Sequence, residues 1–112
     1  MKKDARRILK IAKKIVKKET YKKLKKIKDE EELKKTAQYS IIASLEKEHY
    51  SIEKEIKELE SRMKDVFFAK SKSLLIPSKI SHFKVGFEKE EFYKLSKLLN
   101  DVKKELENIK NV

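Results

Sequence analysis

The chain contains no cysteine and no tryptophan, and only one glycine (Gly86) and one proline (Pro77). Without cysteine it can form neither a disulfide nor a thiolate metal site, and it has no nucleophilic thiol. A secreted domain of 112 residues would ordinarily need covalent staples, so a cytoplasmic setting is expected, close to the nucleoid if the partner is DNA. An all-β fold needs a turn about every ten residues, and the turn formers are missing. No apolar run approaches the ~20 residues of a membrane span. The N-terminus lacks the uninterrupted apolar core of a secretory signal. There is no glycine-rich phosphate loop, and no base and acid are arranged around Ser71, Ser73, Ser78 or Ser81. No catalytic residue and no cofactor is therefore assigned, and a non-enzymatic role is expected.

What the chain has is charge and helix formers. Charged residues make up 45% of it and hydrophobic residues 38%. So much Lys, Glu, Leu and Ile with so few chain breakers predicts long helices. The net charge is +12, and its placement says more than its size. Residues 1–28 hold 14 Lys/Arg against Asp4 and Glu19, which accounts for the whole excess. The remaining 17 basic and 17 acidic residues balance, as on a salt-bridged surface.

Asp4 can cap a first helix with Ala5, Ile8, Leu9, Ala12, Ile15 and Val16 on one face. The opposite face collects Lys3, Arg6, Arg7, Lys10, Lys13, Lys14, Lys17 and Lys18, with no anion among them. Tyr21 and Leu24 fall out of phase with this pattern, which predicts a break near Glu19–Thr20 and a short second helix through Ile27.

Over residues 30–70, Ile42, Leu45, His49, Ile52, Ile56, Leu59, Met63 and Val66 alternate steps of three and four, a heptad seam with one polar member. Leu33, Ala37 and Ile41 extend it upstream, so a helix of about 40 residues is predicted, whose seam must be covered by this chain or by another subunit. His49 lies between Glu46 and Glu53. A carboxylate-bridged metal site would need a second such motif, and none exists, so His49 is taken as a polar seam position that fixes register and no metal site is assigned. Residues 71–87 read as a loop, because Pro77 should end any preceding helix and Ile80, Phe83, Val85 and Phe87 show no helical period. A last helix is predicted over 88–110, where Phe92, Leu95, Leu99, Val102, Leu106 and Ile109 repeat the three-four spacing. The fold expected is all-α: a single three- to four-helix bundle with one long central helix, an antiparallel C-terminal helix and a basic N-terminal helix.

The basic helix has three readings. Lysines neutralise phosphates and release counterions from nucleic acid. Lys-rich amphipathic helices also adsorb to anionic membranes. The third possibility is a solvated outer face of the core. Nucleic acid, DNA or RNA, is preferred because eight cations share one face without an anion. Lysine rather than arginine implies backbone contact without base reading. Tyr21, Tyr39 and Tyr50 are the candidate stacking residues considered, with rim packing the blander role for each. The alternative function is a helical scaffold, homo-oligomeric or bound to a protein partner through the seam of Leu45, His49, Ile52, Ile56, Leu59, Met63 and Val66.

Three stretches carry a family resemblance: KETYKKLKKI (Lys18–Ile27), EIKELESRMKDVFFAKS (Glu55–Ser71) and FEKEEFYKLSKLLNDVKKEL (Phe87–Leu106). Together they resemble the α-helical domain of the GINS family, accessory subunits of the replicative helicase. The resemblance spans residues 18–106. It implies a DNA-replication factor that assembles through its helices. The small β domain usually attached in that family has no counterpart in these residues, and the very basic first helix departs from its pattern.

Overall fold

The computed structural model describes residues 2–112, and these form six helices: α1 (Lys3–Ile15), α2 (Lys18–Lys25), α3 (Glu30–Ser61), α4 (Phe67–Ser73), α5 (Ile76–Gly86) and α6 (Lys89–Lys110). The all-α class and the long central helix are as the composition requires. At 1.5 Å per residue, α3 is roughly 48 Å long. It sets the long axis of a molecule measuring 51 × 25 × 16 Å.

Asp29 starts α3: its side chain accepts a hydrogen bond from the Glu31 backbone N–H at 3.1 Å. Glu30, Glu31 and Glu32 follow in the first turn, where the helix dipole favours negative charge. The buried positions of α3 are Leu33, Ala37, Ile41, Leu45, Ile52, Ile56 and Leu59. Steps of four advance about 40° around the helix, so the buried stripe swings across α3 before the three-four steps hold its direction. One helix thereby packs against all five others, most extensively against α1. The seam is covered by this chain itself.

Three helices share one direction. The Lys2 backbone N–H donates to Glu30 at 3.1 Å, which sets α1 beside the start of α3. Lys103 pairs with Glu48 and Lys110 with Glu55. Both members of these pairs advance together, so α6 runs parallel to α3 and not antiparallel to it as expected, because α4 and α5 carry the chain back along α3 first; its antiparallel neighbour is α5. Glu55 also raises the Lys110 ammonium above its ordinary pKa of 10.5, chiefly through their hydrogen bond.

The chain departs from its expected boundaries at three places. The long helix ends at Ser61 and does not reach residue 70. Met63 takes a left-handed conformation (φ 64°). The Met63 N–H donates to the Glu60 carbonyl at 2.9 Å and the Lys64 N–H to the Leu59 carbonyl at 3.1 Å, a Schellman closure built without glycine. Asp65 then accepts from the Phe67 N–H at 3.1 Å and restarts the chain as α4. Val66 is still buried, but beyond the break, and Met63 is 92% exposed, so Met63 is no part of the seam.

The expected 71–87 loop is instead the end of α4 and the whole of α5. Pro77 sits at the first turn of α5, where its missing N–H costs nothing. The buried residues Ile76, Ile80, Phe83 and Phe87 step by four, three and four. Val85, 88% exposed, hides that period when it is counted with them. Third, the break between α1 and α2 falls at Val16 and Lys17, both extended, ahead of the expected Glu19–Thr20.

The core is continuous from α1 to α6. Ala5, Ile8, Leu9, Ile11 and Ala12 of α1 are buried, with Ile15 and Val16 packed at the margin. Each fully buried Ile or Leu stabilises by about 1.5–3 kcal/mol, so α1 is part of the fold and no detachable arm. At the α5–α6 corner Phe83 is fully enclosed, its ring centroid 4.7 Å from Phe87 and 5.8 Å from Phe92.

Candidate nucleic-acid interface

Burying the apolar stripe of α1 forces its lysines outward, because the two faces lie on opposite sides of one helix. Lys3, Arg6, Lys10, Lys13, Lys14, Lys17 and Lys18 are all exposed. Alongside, α6 buries Phe92, Leu95, Leu99, Val102 and Leu106 and turns a flank toward α1. Between the two helices lies a groove of about 530 Å³. One wall carries Lys3, Arg6, Arg7, Lys10, Lys13 and Lys14, and the other Lys89, Phe92, Tyr93 and Ser96. No carboxylate lines it.

The groove thus gathers six of the eight cations singled out from the sequence and adds Lys89. It leaves out two. Lys17 lies at the α1–α2 junction, in a separate depression of mixed charge shared with Glu48, Glu55 and Glu107. Lys18 begins α2 and lines neither depression.

Arg7 belongs to the fold more than to the groove. It is half-buried, and its guanidinium donates through Nε to the Phe87 carbonyl and through Nη2 to the Gly86 carbonyl, both at 3.2 Å. Its Nη1 pairs with Asp4 at 3.1 Å. These carbonyls close the C-terminal end of α5, where the helix dipole favours a cation. Arg7 is therefore a clamp between α1 and the α5–α6 corner.

Of the three tyrosines considered for stacking, one packs at the rim and none lines the groove. Tyr21 packs against the core and lies 5.7 Å beneath the Lys25 ammonium. Tyr39 and Tyr50 are exposed on α3 and do not line the groove. Tyr93, beside the α6 seam and not among the expected stacking residues, is 69% exposed and does line it. The available signal was spacing: Lys89, Tyr93 and Ser96 fall at i, i+4 and i+7, a second stripe beside Phe92, Leu95 and Leu99.

His49 is half-buried at the edge of the seam, its Nδ1 3.4 Å from a Glu53 carboxylate oxygen. His82 of α5 approaches Glu91 at 3.6 Å. Among the described residues no three His, Asp or Glu side chains gather into a metal-binding group. Among the described residues no helix is long and apolar enough to cross a membrane. Comparison with protein-family models, with curated proteins and with solved structures finds no match to this chain.

Proposed function

We propose that this is a non-enzymatic accessory protein that binds the phosphate backbone of nucleic acid in the α1–α6 groove. The observation that carries this reading is the convergence of Lys3, Arg6, Lys10, Lys13, Lys14 and Lys89 on one concavity without a carboxylate. Cations so placed repel one another unless an anion lies between them, and a polyanion supplies that charge while releasing its own counterions. The resemblance to the GINS helical domain favours DNA and a role in replication inside the cell.

The test is titration of labelled DNA and RNA across a range of salt concentrations. Six phosphate contacts would give a log–log salt slope of about −4 on single strands. The full chain should be used, because removing residues before Glu19 would strip α1 from the core. Reversal of Lys10, Lys13 and Lys14 to Glu should abolish binding and leave the helical content intact. Unchanged affinity in that variant would refute the assignment.

A second reading, a self-associating scaffold, is favoured by α4 and the turn that follows it. Phe67 and Phe68 of α4 and Leu74 and Leu75 just beyond its end give an outward apolar face, each residue more than half exposed. In this reading that face, and not the internally covered heptad seam, meets the same face of a second copy. Sedimentation should then show a dimer that Phe68→Glu dissociates. A monomer at all concentrations would remove this reading.

A further inference from the structure

Lysines alone would serve any nucleic acid, whereas the opposite wall of the groove is more selective. It presents an aromatic ring, and that ring has no role in the core. The buried residues of α6 are Phe92, Leu95, Leu99, Val102 and Leu106, and Tyr93 stands outside them at 69% exposure. Phe92, only 6% exposed, forms the apolar base beside it, and Ser96 adds a hydroxyl one turn on.

We propose that the groove takes single-stranded nucleic acid, with one unpaired base lying on the Tyr93 ring while the flanking phosphates meet the α1 lysines. This rests on the phosphate-binding reading above and narrows it. A cavity of about 530 Å³ has the size that encloses one small organic ligand, roughly 300–1,000 Å³, and so one nucleotide of a strand. A duplex keeps its base faces stacked inside. It could touch the lysines from outside, but it would leave the cavity and the ring unused. An unpaired strand uses all three features: cations for the backbone, the ring for a base, and the hydroxyl as a hydrogen-bond partner for sugar or base. Base–aromatic stacking tolerates any sequence, which suits a site whose cations are mostly lysine and whose Arg7 is held by backbone carbonyls.

The experiment compares three labelled ligands on the full chain at one low salt concentration: a short oligothymidine, an abasic strand with the same number of phosphates, and a duplex of the same length. The base-bearing strand should bind more tightly than the abasic strand by roughly 5- to 150-fold, the range for loss of one stacked base. Tyr93→Ala should erase that difference and leave duplex affinity unchanged, while Tyr93→Phe should keep it. Tyr93 is exposed, so circular dichroism of both variants should match the parent protein. Equal affinity for the base-bearing and abasic strands would overturn the proposal while leaving phosphate binding intact. So would an equal loss on strand and duplex in Tyr93→Ala. Failure of all three ligands to bind would instead remove the phosphate reading, and this proposal with it.

Discussion

Arg7 and Lys10 lie within one turn of each other, and the sequence alone gives them the same role. The structure separates them by their partners. Arg7 holds the Gly86 and Phe87 carbonyls and Asp4, and its side chain is only 32% exposed. Lys10 is exposed on the groove wall. Hydrogen bonds to a charged group contribute about 1.5–3 kcal/mol each when well shielded, and less here because solvent reaches the guanidinium. Arg7→Met should therefore lower unfolding stability by about 2 kcal/mol in denaturant titration, since it also leaves the α5 carbonyls without their donor. Lys10→Glu should change stability by about 0.5 kcal/mol or less. Its effect should fall on nucleic-acid affinity and on the salt slope. If Arg7→Met unfolds no more easily than Lys10→Glu, the clamp contributes nothing.

At the scale of elements, legibility followed local periodicity and failed where a single residue disguised it. The seams of α3 and α6 were readable because burial recurs every three to four residues, broken in α3 only at the half-buried His49 between Leu45 and Ile52. The α5 helix was hidden by Val85, an exposed apolar residue that broke the count, and by Pro77, whose effect depends on whether it falls inside a helix or at its first turn. The end of α3 was hidden for the opposite reason. Nothing in Ser61–Arg62–Met63–Lys64 resembles a helix stop, since the left-handed position is filled by methionine where glycine is usual. The groove was half legible: the α1 cations follow from one helix projected alone, but Tyr93 gains its setting only when α6 lies beside α1. The same closure yields a prediction. A non-glycine residue in the left-handed region costs about 1–2 kcal/mol, and the exposed Met63 side chain recovers little of it by packing. Met63→Gly should stabilise the protein by about 1 kcal/mol, read as a higher denaturant midpoint with an unchanged slope. A lower midpoint would mean that the α3–α4 turn is held by side-chain contacts of Met63 and not by its backbone hydrogen bonds.

For the whole molecule, the fold and the proposed function place opposite demands on the same charge. The net charge of +12 lies entirely in residues 1–28, and much of it faces the α1–α6 groove. The lysines are there because the apolar stripe of α1 must face α3, so the hydrophobic effect holds like charges together that would otherwise separate. Salt screens that repulsion within about 10 Å at 0.1 M. The free protein should therefore melt higher as salt rises. A gain of about 1 kcal/mol would correspond to roughly 4 °C or more for a domain of this size. If the groove binds nucleic acid as proposed, the ligand should raise the melting temperature in the same way at low salt, because the groove exists only in the folded chain, and that gain should fade as salt displaces it. Reversing Lys10 and Lys13 to Glu should reproduce the stabilising effect without salt, flatten the salt dependence, and remove the shift caused by nucleic acid. The three effects stand or fall together if one concentrated positive surface produces them. If the double variant still melts with the salt dependence of the parent, the repulsion lies outside the groove, and the groove would lose its claim to be the place where the chain meets a polyanion.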